Sequence, residues 1–325
     1  METIMKKHKF AARINSFLKE TGSLTASLKA VSKVRGVEYV DLNYPTHVTD
    51  KNILEVKNAL GDAGLKLNGL ALRYYEYPEL RLGAFTNASR SIREKAIDIT
   101  KRGIDATAEL GGTVLTIWPS QDAFRYPLQV DYQRALNWEV EGFRKAAEYN
   151  PTVAVSAEYK PDEPRTYYFM NDIGTTILLV NETGHKNTGI TIDFCHSLYA
   201  KENPAYALDL AARYSRVLGV HLNDGYGYRD DGMPVGSVHL QQTLEFLYCA
   251  VRCGYDGVYY FDTFPDGEGA TEELEFNVKV TSRLLDMAMD EAFVRSVADA
   301  HENQDGLAAA ESAVDALLGM CGARV

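Results

Sequence analysis

What most constrains this chain is an alternation. Short apolar, β-rich runs recur along most of its length, separated by longer segments of helical period. The runs are FAARIN, GVEYVDLN, LKLNGLALRY, TVLTIW, TVAVSAEY, TGITIDF, VLGVHLN and GVYYFDTF. Between them, TASLKAVSKV, DKNILEVKNALGDAG, SIREKAIDITKRGIDATAELGG, DYQRALNWEVEGFRKAAEYN, NPAYALDLAARYS and SVHLQQTLEFLYCAVRCGY read as helices. Strict strand–helix alternation implies a parallel sheet. An open doubly wound sheet would carry a Gly-rich phosphate turn after its first strand, but that turn reads INSFLKETGS here. The pattern therefore predicts an α/β fold, a closed (β/α)8 TIM barrel. In DKNILEVKNALGDAG, Ile53, Leu54, Val56, Ala59 and Leu60 are expected on one packed face, with Gly61 and Gly64 ending the helix.

The chain has 325 residues, 46% of them hydrophobic, enough for one large core. The barrel is expected over residues 1–287 and a C-terminal helical extension over 288–325. In that extension Ala309, Ala313, Leu317 and Leu318 make an apolar stripe that either caps the barrel or meets another subunit. The net charge of -11 disfavours nucleic acid as a partner. No stretch approaches the roughly 18 apolar residues of a membrane span. Nor does METIMKKHKFAARINSF contain an apolar run of signal-peptide length. A soluble, cytoplasmic protein with no membrane partner is expected. Cys249 and Cys253 fall four apart in one helical segment and read as reduced thiols, and nothing in the sequence marks Cys195 as a nucleophile.

In a parallel barrel the catalytic groups sit where strands end at the C-terminal face. Strand five ends in Glu158, strand six in Asp193, strand seven in His221 and strand eight in Asp262. An acid after a strand is commonly only a helix N-cap. Glu158 and Asp193 nevertheless follow apolar runs directly, where an unpaired charge is costly, and convergence on one divalent cation would offset that cost. Three carboxylates and one imidazole suit Mn2+ best, with Mg2+ or Co2+ as alternatives. Such an ion would polarise a carbonyl and steady an enediolate.

Four blocks now stand together: AEYKPDEPR around Glu158, TIDFCHSLYA around Asp193, GVHLNDGYG around His221, and YYFDTFP around Asp262. Jointly they resemble the xylose isomerase-like TIM-barrel superfamily of sugar isomerases and epimerases, with motifs closest to L-rhamnose isomerase-like members. The similarity runs from about strand four to strand eight. It implies that Glu158, Asp193, His221 and Asp262 are metal ligands. It further implies that Lys160 holds a substrate oxygen near the reacting carbons, that His196 contacts substrate as in one-metal epimerases or ligates a second metal as in two-metal isomerases, and that Trp118 forms an aromatic wall against the sugar, against a reading as ordinary core. One stretch departs from the two-metal members. After the strand-seven ligand come Arg229, Asp230 and Asp231, with adjacent rather than alternating acids. Adjacent acids point apart, which puts a second metal in doubt. An Arg in this loop resembles the epimerases, where such a residue binds hydroxyl oxygens. Arg165 is a further substrate-binding candidate, against a reading as a helix cap or surface ion pair.

The expected chemistry is proton removal next to a carbonyl, with Glu158 and Asp262 acting from opposite sides as acid and base. Return to the opposite face epimerises, whereas return to the neighbouring carbon exchanges aldose and ketose. The partner is a small-molecule sugar or glycoside, and the resemblance together with the tail stripe implies a homo-oligomer. The main rival is a lyase on oxidised sugars or glycosides, working with a hetero-subunit. In that reading Tyr44, Tyr74, Tyr226 and Tyr228 would be rim residues for an aromatic aglycone. A three-zinc phosphodiesterase would need more than the seven His present and a basic face.

Overall fold

A computed structural model describes residues 8–322. Eight parallel strands close on themselves: β1 Phe10–Arg13, β2 Val37–Tyr44, β3 Lys66–Leu72, β4 Val114–Ile117, β5 Ala154–Glu158, β6 Thr188–Asp193, β7 Val217–Leu222 and β8 Tyr259–Phe261. Each pairs with its sequence neighbour, and β1 pairs with β8 (Phe10 with Tyr259, Ala12 with Phe261), which closes the ring. The fold is a (β/α)8 barrel, as the alternation predicts. All six residues of β6 are buried, the signature of a strand covered on both faces.

The helices are α1 Ile14–Thr21, α2 Leu24–Val31, α3 Ile53–Ala63, α4 Arg90–Glu109, α5 Tyr132–Tyr149 and α6 Ile173–Glu182. They continue with α7 Phe194–Tyr199, α8 Pro204–Tyr214, α9 Leu240–Arg252, α10 Ala270–Ala288, α11 Glu291–Asn303 and α12 Gly306–Gly322. Three local expectations need correction. FAARIN is too long as a strand: the chain turns into α1 at Ile14, because burying Ile14 and Phe17 on one helical face is more favourable than extending β1. On α3, Val56, Ala59 and Leu60 are buried, but Leu54 is 67% exposed because it lies off that face. Gly61 lies within α3, and Gly64 alone ends it, with φ 68 in the left-handed region that favours glycine.

Beyond α10, α11 and α12 pack on each other, and α12 also touches α9. Ala313 and Leu317 lean on the core, while Leu318 points outward. At the other extreme of regularity, the segments after β4 and β5 build a small antiparallel sheet from Ala123–Phe124, Asp162–Glu163 and Thr166–Tyr168. It stands beside the C-terminal ends of the barrel strands. No helix among the described residues is long and apolar enough to cross a membrane.

Candidate active site

Four strand ends meet. Glu158, Asp193, His221 and Asp262 each offer a ligand atom, and these atoms all lie within 4.8 Å of one another. His221 Nδ1 is 3.0 Å from Glu158 Oε1 and 4.0 Å from Asp193 Oδ2. Its ring stands edge-on to Tyr260 at 4.6 Å, which fixes its plane. Asp193 is both the end of β6 and the N-cap of α7, where Oδ1 accepts the His196 backbone N–H at 2.9 Å. Capping through Oδ1 thus leaves Asp193 within the four-residue cluster. Asp262 Oδ1 lies 2.8 Å from Arg13 Nε, but the N–H does not point at it, so both atoms stay buried without a hydrogen bond.

Asn223, two residues beyond His221, ties the cluster together. Its Nδ2 lies 3.2 and 2.9 Å from the two Asp193 oxygens and 3.2 Å from the Asp262 carbonyl oxygen. Its Oδ1 accepts the Cys195 backbone N–H at 2.9 Å.

The electrostatics of the cluster ask for positive charge. Burial pushes the Asp193 carboxyl up to about 7 against the pull of His196, and it lifts buried Asp41 nearby to about 7 as well. Burial would also discharge the imidazoles. Glu158 overcomes it at His221, which rises to about 9, and Asp193 with Asp230 overcomes it at His196, which rises to about 10. Glu158 stays below the usual carboxylate range despite its burial, because His221 and His196 face it. Asp193 and Asp41 are buried carboxyls pushed toward their neutral forms, and an oxygen of Asp262 has no donor. A hard divalent cation fits both features and the donor set of three carboxylates and one imidazole.

The cavity above this cluster, about 170 Å³, is lined by Arg13, Arg73, Tyr75, Trp118, Glu158 and Lys160, and by His196, Asp230, Asp262 and Phe264. Larger clefts lie around α11 and α12, but no such convergence of functional groups accompanies them. Lys160 Nζ is 2.6 Å from Glu163 and 3.3 Å from Asp230, and it sits 5.1 Å over the Trp118 ring. Two of its three protons are thus engaged. His196 meets the Tyr159 carbonyl oxygen at Nδ1 (2.9 Å) and Asp230 at Nε2 (3.2 Å). Trp118 stands edge-on to Tyr75 and Tyr168, with its Nε1–H buried and unpartnered.

Several expected substrate contacts lie elsewhere. Arg229 is 81% exposed and pairs with Asp231 at 2.8 Å. The acid next to it, Asp230, is the residue that enters the cavity, because adjacent side chains diverge. Arg165 is exposed and hydrogen-bonds the Tyr126 hydroxyl outside the cavity. Tyr44 and Tyr74 are buried in the core on Asp50 and Thr100, not on the rim, while Tyr226 and Tyr228 are exposed. Five residues of the site went unread in the sequence: Arg13, Arg73, Tyr75, Asn223 and Phe264. Arg13 ends β1 and Arg73 follows β3, so the strand-end criterion applied to all eight strands would have found both arginines.

Residues 28–279 match the family described as xylose isomerase-like TIM barrel. The chain belongs to that family. It is 24% identical over 224 residues to a xylose isomerase from Thermus thermophilus; the match covers 67% of this chain and 58% of that protein. The barrel superposes on 3-keto-D-glucoside 4-epimerase from E. coli with a TM-score of 0.66 at 18% identity, covering 86% of this chain and 99% of that one. It also superposes on the IOLI protein with a bound zinc atom, with a TM-score of 0.66 at 16% identity, covering 87% and 99%. At such identities the two structures speak for the fold alone.

Proposed function

We propose that this family member is a divalent-metal-dependent isomerase or epimerase of a small sugar. The observation that carries the reading is the convergence of Glu158, Asp193, His221 and Asp262 within 4.8 Å at four successive strand ends. Those residues would hold the ion, Mn2+ by preference, and the bound ion supplies Lewis-acid polarisation of a substrate carbonyl. The xylose isomerase-like family match and the xylose isomerase relative support the same class of chemistry.

The protein's own groups then move the proton. Glu158 is buried and held ionised, so it is equipped to take a proton from the carbon beside the carbonyl, leaving an enediolate. Asp262, held beside Arg13, is the second acid–base group; to return a proton from another direction it must enter the step protonated, and exchange with solvent then takes the proton from Glu158 and restores the one on Asp262. Lys160 offers its remaining proton to a substrate oxygen, and His196, whose ring nitrogens meet the Tyr159 carbonyl oxygen and Asp230, would donate to substrate from the same wall by exchanging its Asp230 contact. Trp118 supplies a flat face and a free N–H. One metal is the better fit. Asp231 turns away from the cluster onto Arg229 and the Tyr226 N–H, and Lys160 already lies on Asp230.

We extend the reading to a homo-oligomer in the cytoplasm; the outward Leu307 and Leu318 of α12 support a subunit contact. The test is a panel of aldoses and ketoses with the Mn2+-loaded protein, followed by NMR. Conversion of one sugar into one isomer or epimer supports the reading. Release of two products from one substrate replaces it with a lyase, and no conversion across the panel counts against it.

A further inference from the structure

Ion pairing in the cavity leaves one cation over. Lys160 is matched by Glu163 and Asp230, and Arg13 by Asp262. Arg73 has no ion pair among the described residues; its Nη2 donates to Asn43 Oδ1 at 2.9 Å, and its Nε is buried with no acceptor. Asn43 is itself anchored, with its Nδ2 on Asn15 Oδ1 at 3.1 Å and its N–H on His47 Nδ1 at 3.0 Å. Accepting that N–H requires His47 to be neutral, and burial followed by the charges of Arg73 and Arg13 agrees, holding its pKa down at about 4. Arg73 is therefore a guanidinium fixed in place by neutral groups.

We propose that Arg73, with Arg13 beside it, receives a carboxylate of the substrate, so that the enzyme acts on a sugar acid rather than a neutral sugar. The inference rests on the isomerase or epimerase reading and names its substrate class. A buried charged donor without an acceptor is unfavourable in the free enzyme, and an anionic ligand group removes the penalty. The guanidinium fork matches a carboxylate in two parallel hydrogen bonds. Arg13, paired with Asp262 and 4.5 Å over the Phe264 ring, adds positive charge to the same cavity.

The rest of the cavity agrees. Among the described residues, thirteen buried side-chain polar atoms lack a partner, and five of them belong to residues lining this cavity: Arg13, Arg73, Trp118, Asp230 and Asp262. That concentration of unanswered donors and acceptors marks a place for a polyoxygenated ligand. A volume of about 170 Å³ is below the range of drug-sized ligand sites, which points to a single sugar unit. Carboxylate is a better match than phosphate. One spare guanidinium provides few donors for a phosphate's three oxygens, and no Gly-rich backbone cradle lines the cavity.

The test uses the full chain loaded with Mn2+. Calorimetric titration compares D-glucuronate with D-glucose, and D-galacturonate with D-galactose, with D-glucose 6-phosphate as a third anion. Each acid is expected to bind at least about tenfold tighter than its neutral partner. The advantage should shrink with added salt, collapse in Arg73→Met, and survive in part in Arg73→Lys, which also guards against misfolding of the first variant. Equal or better binding of the neutral sugars overturns the proposal. So does an acid preference that persists in Arg73→Met, a phosphate ester that outcompetes both uronates, or no binding of either acid. Incubation of the same compounds in heavy water separates this proposal from the reading beneath it. Deuterium entering only the neutral sugars overturns the carboxylate site and leaves the isomerase standing. Acids that bind through Arg73 while no sugar in the panel exchanges or converts leave the site standing and remove the isomerase.

Discussion

Asn223 gives the sharpest test of how the cluster is held. In Asn223→Ala the contacts from Nδ2 to both oxygens of Asp193, at 3.2 and 2.9 Å, disappear together with the 3.2 Å contact to the Asp262 carbonyl oxygen. Removing a partner that orients a metal-binding side chain weakens metal affinity by about 10- to 100-fold, or about 1.4–2.7 kcal/mol. The same substitution orphans the buried Cys195 N–H, which donates to Asn223 Oδ1 at 2.9 Å. That loss should lower the stability of the metal-free protein by about 1–3 kcal/mol. Calorimetric titration of the stripped variant with Mn2+ measures the first effect, and thermal unfolding without metal measures the second. Activity should be low at limiting Mn2+ and recover as Mn2+ approaches saturation. Affinity within twofold of the parent, with stability alone reduced, would refute the assignment of Asn223 to the metal site.

Other outcomes follow from the same geometry. Glu158→Gln keeps the side-chain volume but loses a base and a ligand charge, so activity should fall at least about a thousandfold while the barrel folds; near-normal turnover in a metal-loaded variant would remove Glu158 from the mechanism. Turnover in heavy water should place deuterium on the product carbon, in part if the base is shielded. Product wholly free of label would favour hydride transfer. Glu139 is fully buried on α5 with neither oxygen hydrogen-bonded, and burial followed by nearby Asp122 raises its pKa well above 4.5. A raised carboxyl pKa in the folded state favours folding at low pH, and that stability is lost as pH rises from about 4.5 through the folded value. The neutral variant Glu139→Gln escapes this loss, so its melting temperature relative to the parent should climb between about pH 5 and pH 8. A pH-independent difference would show that Glu139 has a charged partner.

The barrel was legible because its signal is repeated: each β/α unit restates the same pattern, and errors at single boundaries do not change it. FAARIN shows the scale of those errors, since α1 begins inside it at Ile14. The four ligand candidates were legible for a different reason. Strand direction in a parallel barrel fixes which end of each strand faces the site, so a position in the chain becomes a position in space. Loop residues have no such rule. Arg229 and Asp230 are adjacent in sequence, yet one is 81% exposed and the other enters the cavity. Arg165 and the core positions of Tyr44 and Tyr74 illustrate the same limit. The spare cation at Arg73 was hidden more deeply. It is defined by what Lys160 and Arg13 are already paired with, and pairing across β1, β3 and β5 has no signature along the chain.

Metal-dependent chemistry in this barrel requires that Glu158, Asp193, His221 and Asp262 hold one divalent ion. Anomalous diffraction from crystals of the Mn2+-loaded protein, collected on both sides of the manganese edge, measures this directly. The prediction is a single strong peak per chain, bounded by Glu158, Asp193, His221 and Asp262, that disappears after chelation. No peak among those residues at saturating Mn2+, or a peak of equal strength on Asp231, would contradict it.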